Sequence, residues 1–214
     1  AALFKNVESA KSMQYEKGDV LYCSAFSGRL NTILTDSPVE RRVYNVEFHP
    51  CTDSGNRDYP VVKIGNQWWM AGNLAWLPEV TPSATGSETT SCYYVYGYNG
   101  TNVAEAKASP AYAAYGSLYN WTAAMGGISG SPGHQRGIRG ACPAGWHVPT
   151  AGEWDELSAF LGGANTAGGA MKATGTLLWE SPNTEASNSS GFTALPGGAR
   201  LNDKSFLGAR LTGN

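Results

Sequence analysis

Hydrophobic and polar positions change period several times along this chain. Val20 to Phe26, Leu30 to Thr35 and Arg42 to Phe48 are rich in β-branched and aromatic residues, and Ser27-Gly28 and Asp36-Ser37-Pro38 separate them. Such runs between turn formers predict a three-stranded meander. Tyr59 to Ile64 and Gln67 to Met70 flank Gly65-Asn66, a dipeptide suited to the tight primed turns of a β-hairpin. Further on the period lengthens. Leu118, Trp121 and Met125 share one helical face over Ser117 to Met125, closed by Gly126-Gly127. Trp154, Leu157 and Leu161 repeat at i, i+3 and i+7 before Gly162-Gly163, which predicts a second helix with one buried face. Gly163 to Gly169 reads as a flexible stretch, Leu177-Leu178-Trp179 and Phe192 to Pro196 as core strands, and Asn202-Asp203 as the turn of a final hairpin. Ala1 to Glu16 has weak periodicity and reads as an arm.

The second helix is the best specified element. Thr150 followed three residues later by Glu153 is a capping box, in which hydroxyl and carboxylate each satisfy the other residue's backbone N–H. The helix therefore starts at Ala151, with Pro149 placed to pack on Trp154 as a hydrophobic staple. Gly145, Trp146, His147, Pro149, Thr150, Glu153 and Trp154 are read together as a fold-building motif.

Composition narrows the function classes. Only 15% of residues are charged, against about 25% in an average domain, so Ser, Thr, Asn and Gly must build the surface. A net charge of −2 without a basic run argues against nucleic acid, which needs clustered Lys and Arg. No apolar run approaches the ~20 residues that span a bilayer. The chain starts at Ala1 without a basic and apolar leader, which predicts a removed signal or a fragment. Cys23, Cys51, Cys92 and Cys142 lack C-x-x-C or Cys/His spacing, so disulfides are expected rather than a zinc site.

Candidate chemistry is sparse. No nucleophile elbow, phosphate loop or dinucleotide fingerprint occurs, and His49, His134 and His147 have no partner at metal-ligand spacing. His147 is expected to satisfy loop backbone rather than act as a base. Glu153 is committed to the cap, and Asp155 and Glu156 sit on a first turn that favours negative charge. Asp53, Asn56 and Asp58 resemble a calcium loop but lack its ligand spacing, so an ordinary turn is the preferred reading. Trp68, Trp69 and Trp76 are weighed as core side chains more than as stacking platforms. The tyrosines of Cys92 to Tyr98 fit either a core or an interface. Ile128 to Gly140, with His134, Arg136 and Arg139, reads as a mobile surface loop. No catalytic residue, cofactor or metal is expected.

Four stretches carry a resemblance: VVKIGNQWWMAGNLAWLP, YGSLYNWTAAM, CPAGWHVPTAGEWDEL and SPNTEASNSSGFTALPGGAR. In this order they resemble the Fibrobacter succinogenes major paralogous domain, an extracellular domain of Bacteroidetes and Fibrobacteres. The resemblance implies an α+β, C-type-lectin-like fold with two short helices and twisted antiparallel strands, distantly similar to formylglycine-generating enzymes. Residues 51–214 would form that domain, and residues 1–50 a β-strand-rich segment preceding it. The family usually carries Glu where this chain has Gly72. The reactive cysteine pair of the oxidase relatives is not visible.

The implied function is a secreted or cell-surface, adhesin-like binding module for a glycan or a protein, with no enzymatic activity. The alternative is a structural subunit of a surface fibre, and a formylglycine-generating-like catalyst comes third. The resemblance further implies a Trp-rich segment and a last strand beyond Asn214, with the partner of Cys142 in that strand. Were one bridge to form among the other cysteines, the meander would favour Cys23 with Cys51.

Overall fold

The computed structural model describes residues 14–127 and 137–209. The expected arm over Ala1 to Glu16 and the loop carrying His134 and Arg136 fall largely outside them. The fold is mixed α+β, with short helices and several small sheets. Strands β1 (Leu21–Ser27) and β2 (Leu30–Asp36) form an antiparallel hairpin. β3 (Val61–Ile64) and β4 (Gln67–Met70) form a second one, whose Ile64↔Gln67 register leaves Gly65-Asn66 as its two-residue turn. Parallel pairing of β2 with β3 joins the hairpins into one four-stranded sheet.

The third strand of the expected meander does not form. With β1 on one edge of β2 and β3 on the other, no edge beside β2 remains for Arg42 to Phe48. That stretch runs irregularly past the hairpin, where Arg42 and the Tyr44 hydroxyl both reach the Asp36 carboxylate.

Helix α4 (Ala151–Phe160) starts at the residue the capping box predicts. Its Leu157, 1% exposed, packs with Ile33, Val62, Ile64 and Trp69 on one face of the sheet. Trp154 does not follow it into the core. At 42% exposed, it lies on a solvent-facing side of the helix, so the buried face is narrower than the period suggested.

The middle of the chain holds three short helices where one was expected. These are α1 (Val103–Lys107), α2 (Pro110–Tyr115) and α3 (Trp121–Ala124), capped by the side chains of Asn102, Ser109 and Asn120. Asn and Ser caps, and Pro at the first helical position, are the local signals that start them. Leu118 and Tyr119, assigned by period to a helix, instead form strand β6 (Leu118–Tyr119) against β5 (Tyr93–Tyr94). Tyr93, Tyr94 and Val95 are buried, so the tyrosine strip is core.

Gly163 to Gly169, expected to be flexible, lies mostly in helix α5 (Ala164–Met171). Packing overrides the helix-breaking tendency of glycine here. A Cβ on Gly169 would lie 2.5 Å from the Glu185 carbonyl oxygen, so the following loop crosses the helix where only glycine fits. The Gly169 carbonyl then accepts from the Ser187 N–H at 2.9 Å. The expected strand at Leu177 to Trp179 is absent, and Leu177 is 72% exposed. Of Phe192 to Pro196, only Ala194 makes a bridge, with Lys172. The last hairpin is as expected, pairing β7 (Ala199–Arg200) with β8 (Phe206–Leu207).

All four cysteines are free, which corrects the expectation of disulfides and the pairing of Cys23 with Cys51. Cys23 lies on β1, whereas Cys51 is buried beside Tyr59 and Val61.

Candidate functional site

The capping box anchors a cavity. Thr150 N–H donates to Glu153 Oε2 at 2.7 Å, and Glu153 N–H donates to Thr150 Oγ1 at 3.3 Å. The other carboxylate oxygen, Oε1, is hydrogen-bonded to His147 Nε2 at 2.8 Å. His147 was expected to satisfy loop backbone; it meets the cap carboxylate instead. Burial pushes the Glu153 carboxyl up, but the hydrogen bonds from Thr150 and His147 outweigh it and hold it below the ordinary value.

β4 supplies the opposite wall. Successive strand residues point to opposite faces, so the Trp68-Trp69 pair puts one indole on each side. Trp69 is 7% exposed, and its ring lies 4.8 Å from Trp154 and 5.8 Å from Phe192. Its N–H donates to Gln67 Oε1 at 3.2 Å, and Gln67 Nε2 donates to the Glu153 carbonyl at 3.2 Å. Strand and helix start are thereby locked together. On the other face, Trp68 meets His49 with ring centroids 4.0 Å apart and the planes tilted by 45°, and the Lys63 ammonium lies 5.7 Å from its ring.

The third wall is the loop from Cys142 to Pro149. Gly145 has φ +83°, a left-handed conformation that a Cβ would strain, and the turn it makes presents Trp146. The Trp146 N–H donates to the Pro50 carbonyl at 2.8 Å, and its side chain packs against the buried cluster that contains Cys51, Tyr59 and Val61. Burial raises the thiol of Cys142 and pushes that of Cys51 up to about 12, so neither is a ready nucleophile.

These walls enclose an open cavity of about 830 Å³. Six of the seven motif residues line it, namely Gly145, Trp146, His147, Pro149, Glu153 and Trp154; Thr150 stands behind as the cap. Gly72 lines it too. A Cβ there would meet only Pro60, at 3.8 Å, so the position where the resemblance expects Glu has room for a side chain. The cavity is not legible in the sequence because His49, Phe192 and Thr193 join it from distant segments. The consecutive indoles of Trp68 and Trp69 were its one local signal.

Polar capacity remains on the lining. Among the described residues, the Asn66 amide, the His147 Nδ1 and the indole N–H groups of Trp68 and Trp154 make no hydrogen bond. Aromatic walls with a few unengaged polar groups are what small-ligand sites present.

Elsewhere, Asp53 closes a turn. Its Oδ1 accepts from the N–H groups of Gly55 and Arg57, and its other oxygen from the Tyr59 hydroxyl. No cluster of three metal-ligating side chains occurs among the described residues, and no described helix is long and apolar enough to cross a membrane.

The family model described as the Fibrobacter succinogenes major domain matches residues 62–213. No curated protein and no solved structure matches the chain.

Proposed function

The chain belongs to the Fibrobacter succinogenes major domain family, and from that premise we propose that it is a non-enzymatic, adhesin-like binding module, secreted or held at a bacterial cell surface. Its fold is read as a C-type-lectin-like variant, and its ligand as a glycan whose ring faces stack in the tryptophan-lined cavity. The observation that carries this is Trp154. A large indole on the fold's central motif stands 42% exposed at a cavity of about 830 Å³ instead of in the core. Aromatic faces accept the C–H faces of sugar rings, and unengaged N–H and amide groups suit their hydroxyls. Binding is favoured over catalysis because the polar groups nearest the cavity have structural work: Glu153 and His147 hold the cap.

An array of bacterial, plant and host polysaccharides tests the reading. Wild type and a Trp121→Ala control should be retained on the same glycan, and Trp154→Ala should bind roughly tenfold less, the worth of about one aromatic contact. No retained glycan, or unchanged binding by Trp154→Ala, would sink it.

A second reading, a structural subunit of a surface fibre, is favoured by β1. Its outer edge pairs with no strand among the described residues, and Tyr22 and Phe26 on it are 45% and 69% exposed. An open strand edge is a template for pairing with another chain. Filaments in purified samples, lost on substituting Phe26 with Lys, would favour it.

A further inference from the structure

Cys51 and Cys142 are far apart in sequence, and hydrogen bonds from the residues around them bring their two segments together. On one side, the Trp146 N–H donates to the carbonyl of Pro50, the residue before Cys51. On the other, Arg139 donates through Nη2 to Ser54 Oγ at 3.4 Å and through Nε to the carbonyl of Cys142 itself at 3.0 Å. A backbone bond from Cys142 N–H to the Arg139 carbonyl, 3.0 Å, closes that turn. Cys51, 3% exposed, belongs to the buried cluster that Trp146 packs against, and Cys142 lines the cavity.

Each of the other thiols has different company. Cys92 Sγ donates to the Thr90 carbonyl, and Cys23 lies on the edge strand β1. Burial raises both thiols, and the nearness of Cys142 raises that of Cys51 further. They are unbonded in this structure.

We infer that Cys51 and Cys142 are a disulfide-forming pair, which on oxidation fastens the Trp146 wall of the cavity to the segment before β3. The oxidant is a small-molecule or protein disulfide reaching Cys142 through the cavity. The Cys142 thiolate attacks one sulfur of that disulfide, forming a mixed disulfide and releasing one thiol. The Cys51 thiolate then attacks Cys142 Sγ, forming the internal bond and releasing the second thiol. Two protein thiols lose two electrons and two protons, and the oxidant disulfide is reduced to two thiols. Because only thiolates attack, and both thiols are raised, the reaction is slow at neutral pH and accelerates as pH rises. The bond closes a loop of roughly 90 residues, a length for which restriction of the unfolded chain is large.

The test uses the full chain equilibrated with glutathione disulfide, then alkylated and digested without reduction. Mass spectrometry should find one linked peptide pair, Cys51 with Cys142, while Cys23 and Cys92 carry alkyl groups. The oxidised protein should melt at a higher temperature than the reduced one, and Cys51→Ser or Cys142→Ser should each abolish that difference. Four alkylated cysteines after oxidation, or Cys142 linked to another residue, would overturn the inference without any reference to ligand binding.

Discussion

Around Tyr93 the aromatic side chains pack into and over a buried core, whereas Trp154 stands at the mouth of a cavity. In the tyrosine half, Tyr93 and Tyr94 are buried, Tyr93 meets Trp76 and Tyr119 edge to face at 5.8 and 5.7 Å, and the hydroxyls are tied down. Tyr94 donates to the Thr85 carbonyl, Tyr112 to Ala75 and Tyr119 to Trp76. Burial holds the Tyr119 hydroxyl well above its ordinary value and Tyr94 at about 12. In the tryptophan half Trp154 keeps an open face at 42% exposed, and among the described residues the indole N–H groups of Trp68 and Trp154 make no hydrogen bond. A ring whose polar tip is satisfied inside the protein is built to hold the fold. One left open adds little to it and is free to meet a ligand.

Substitutions can break this contrast. The largest effect is expected at buried side chains: Leu157→Ala and Tyr93→Ala should each cost about 3 kcal/mol or more in urea unfolding. Trp154→Ala should cost only about 1 kcal/mol, the worth of its ring contacts with Trp69 and Phe192. Equal costs at Tyr93 and Trp154 would mean that the cavity wall is core after all. Thr150→Ala should cost about 1 kcal/mol through loss of the cap, and Tyr119→Phe a similar amount through loss of its hydrogen bond.

The smallest effect is a pH dependence. Glu153 is lowered in the folded protein from an ordinary 4.5, so its contribution to stability is fully present above that value and lost as pH falls through the lowered one. The stability difference between wild type and Glu153→Gln should therefore be greatest above pH 4.5 and shrink in acid. A difference that grew in acid would show that the carboxylate is not held by the cap.

The sequence was legible where chemistry is local. Thr150 and Glu153 announced a helix start to the residue, and Gly65-Asn66 announced its hairpin, because a cap or a tight turn is specified within a few positions. It misled where distant parts decide. Arg42 to Phe48 has strand composition, but β3 occupies the edge it needed. Gly169 looks like a breaker, but the crossing of the Glu185 loop requires glycine at that position within α5. Trp154 sits at a core-facing period, yet the cavity it borders is completed by Phe192 and His49, which no periodicity connects to it.

The most direct measurement of the contrast between the halves is fluorine NMR on protein carrying 5-fluorotryptophan at its seven Trp positions, titrated with the glycan retained on the array. The resonances of Trp68, Trp146 and Trp154 should move on binding while those of Trp76, Trp121 and Trp179 stay in place. Movement at Trp76 or Trp179 with a still Trp154 would contradict it.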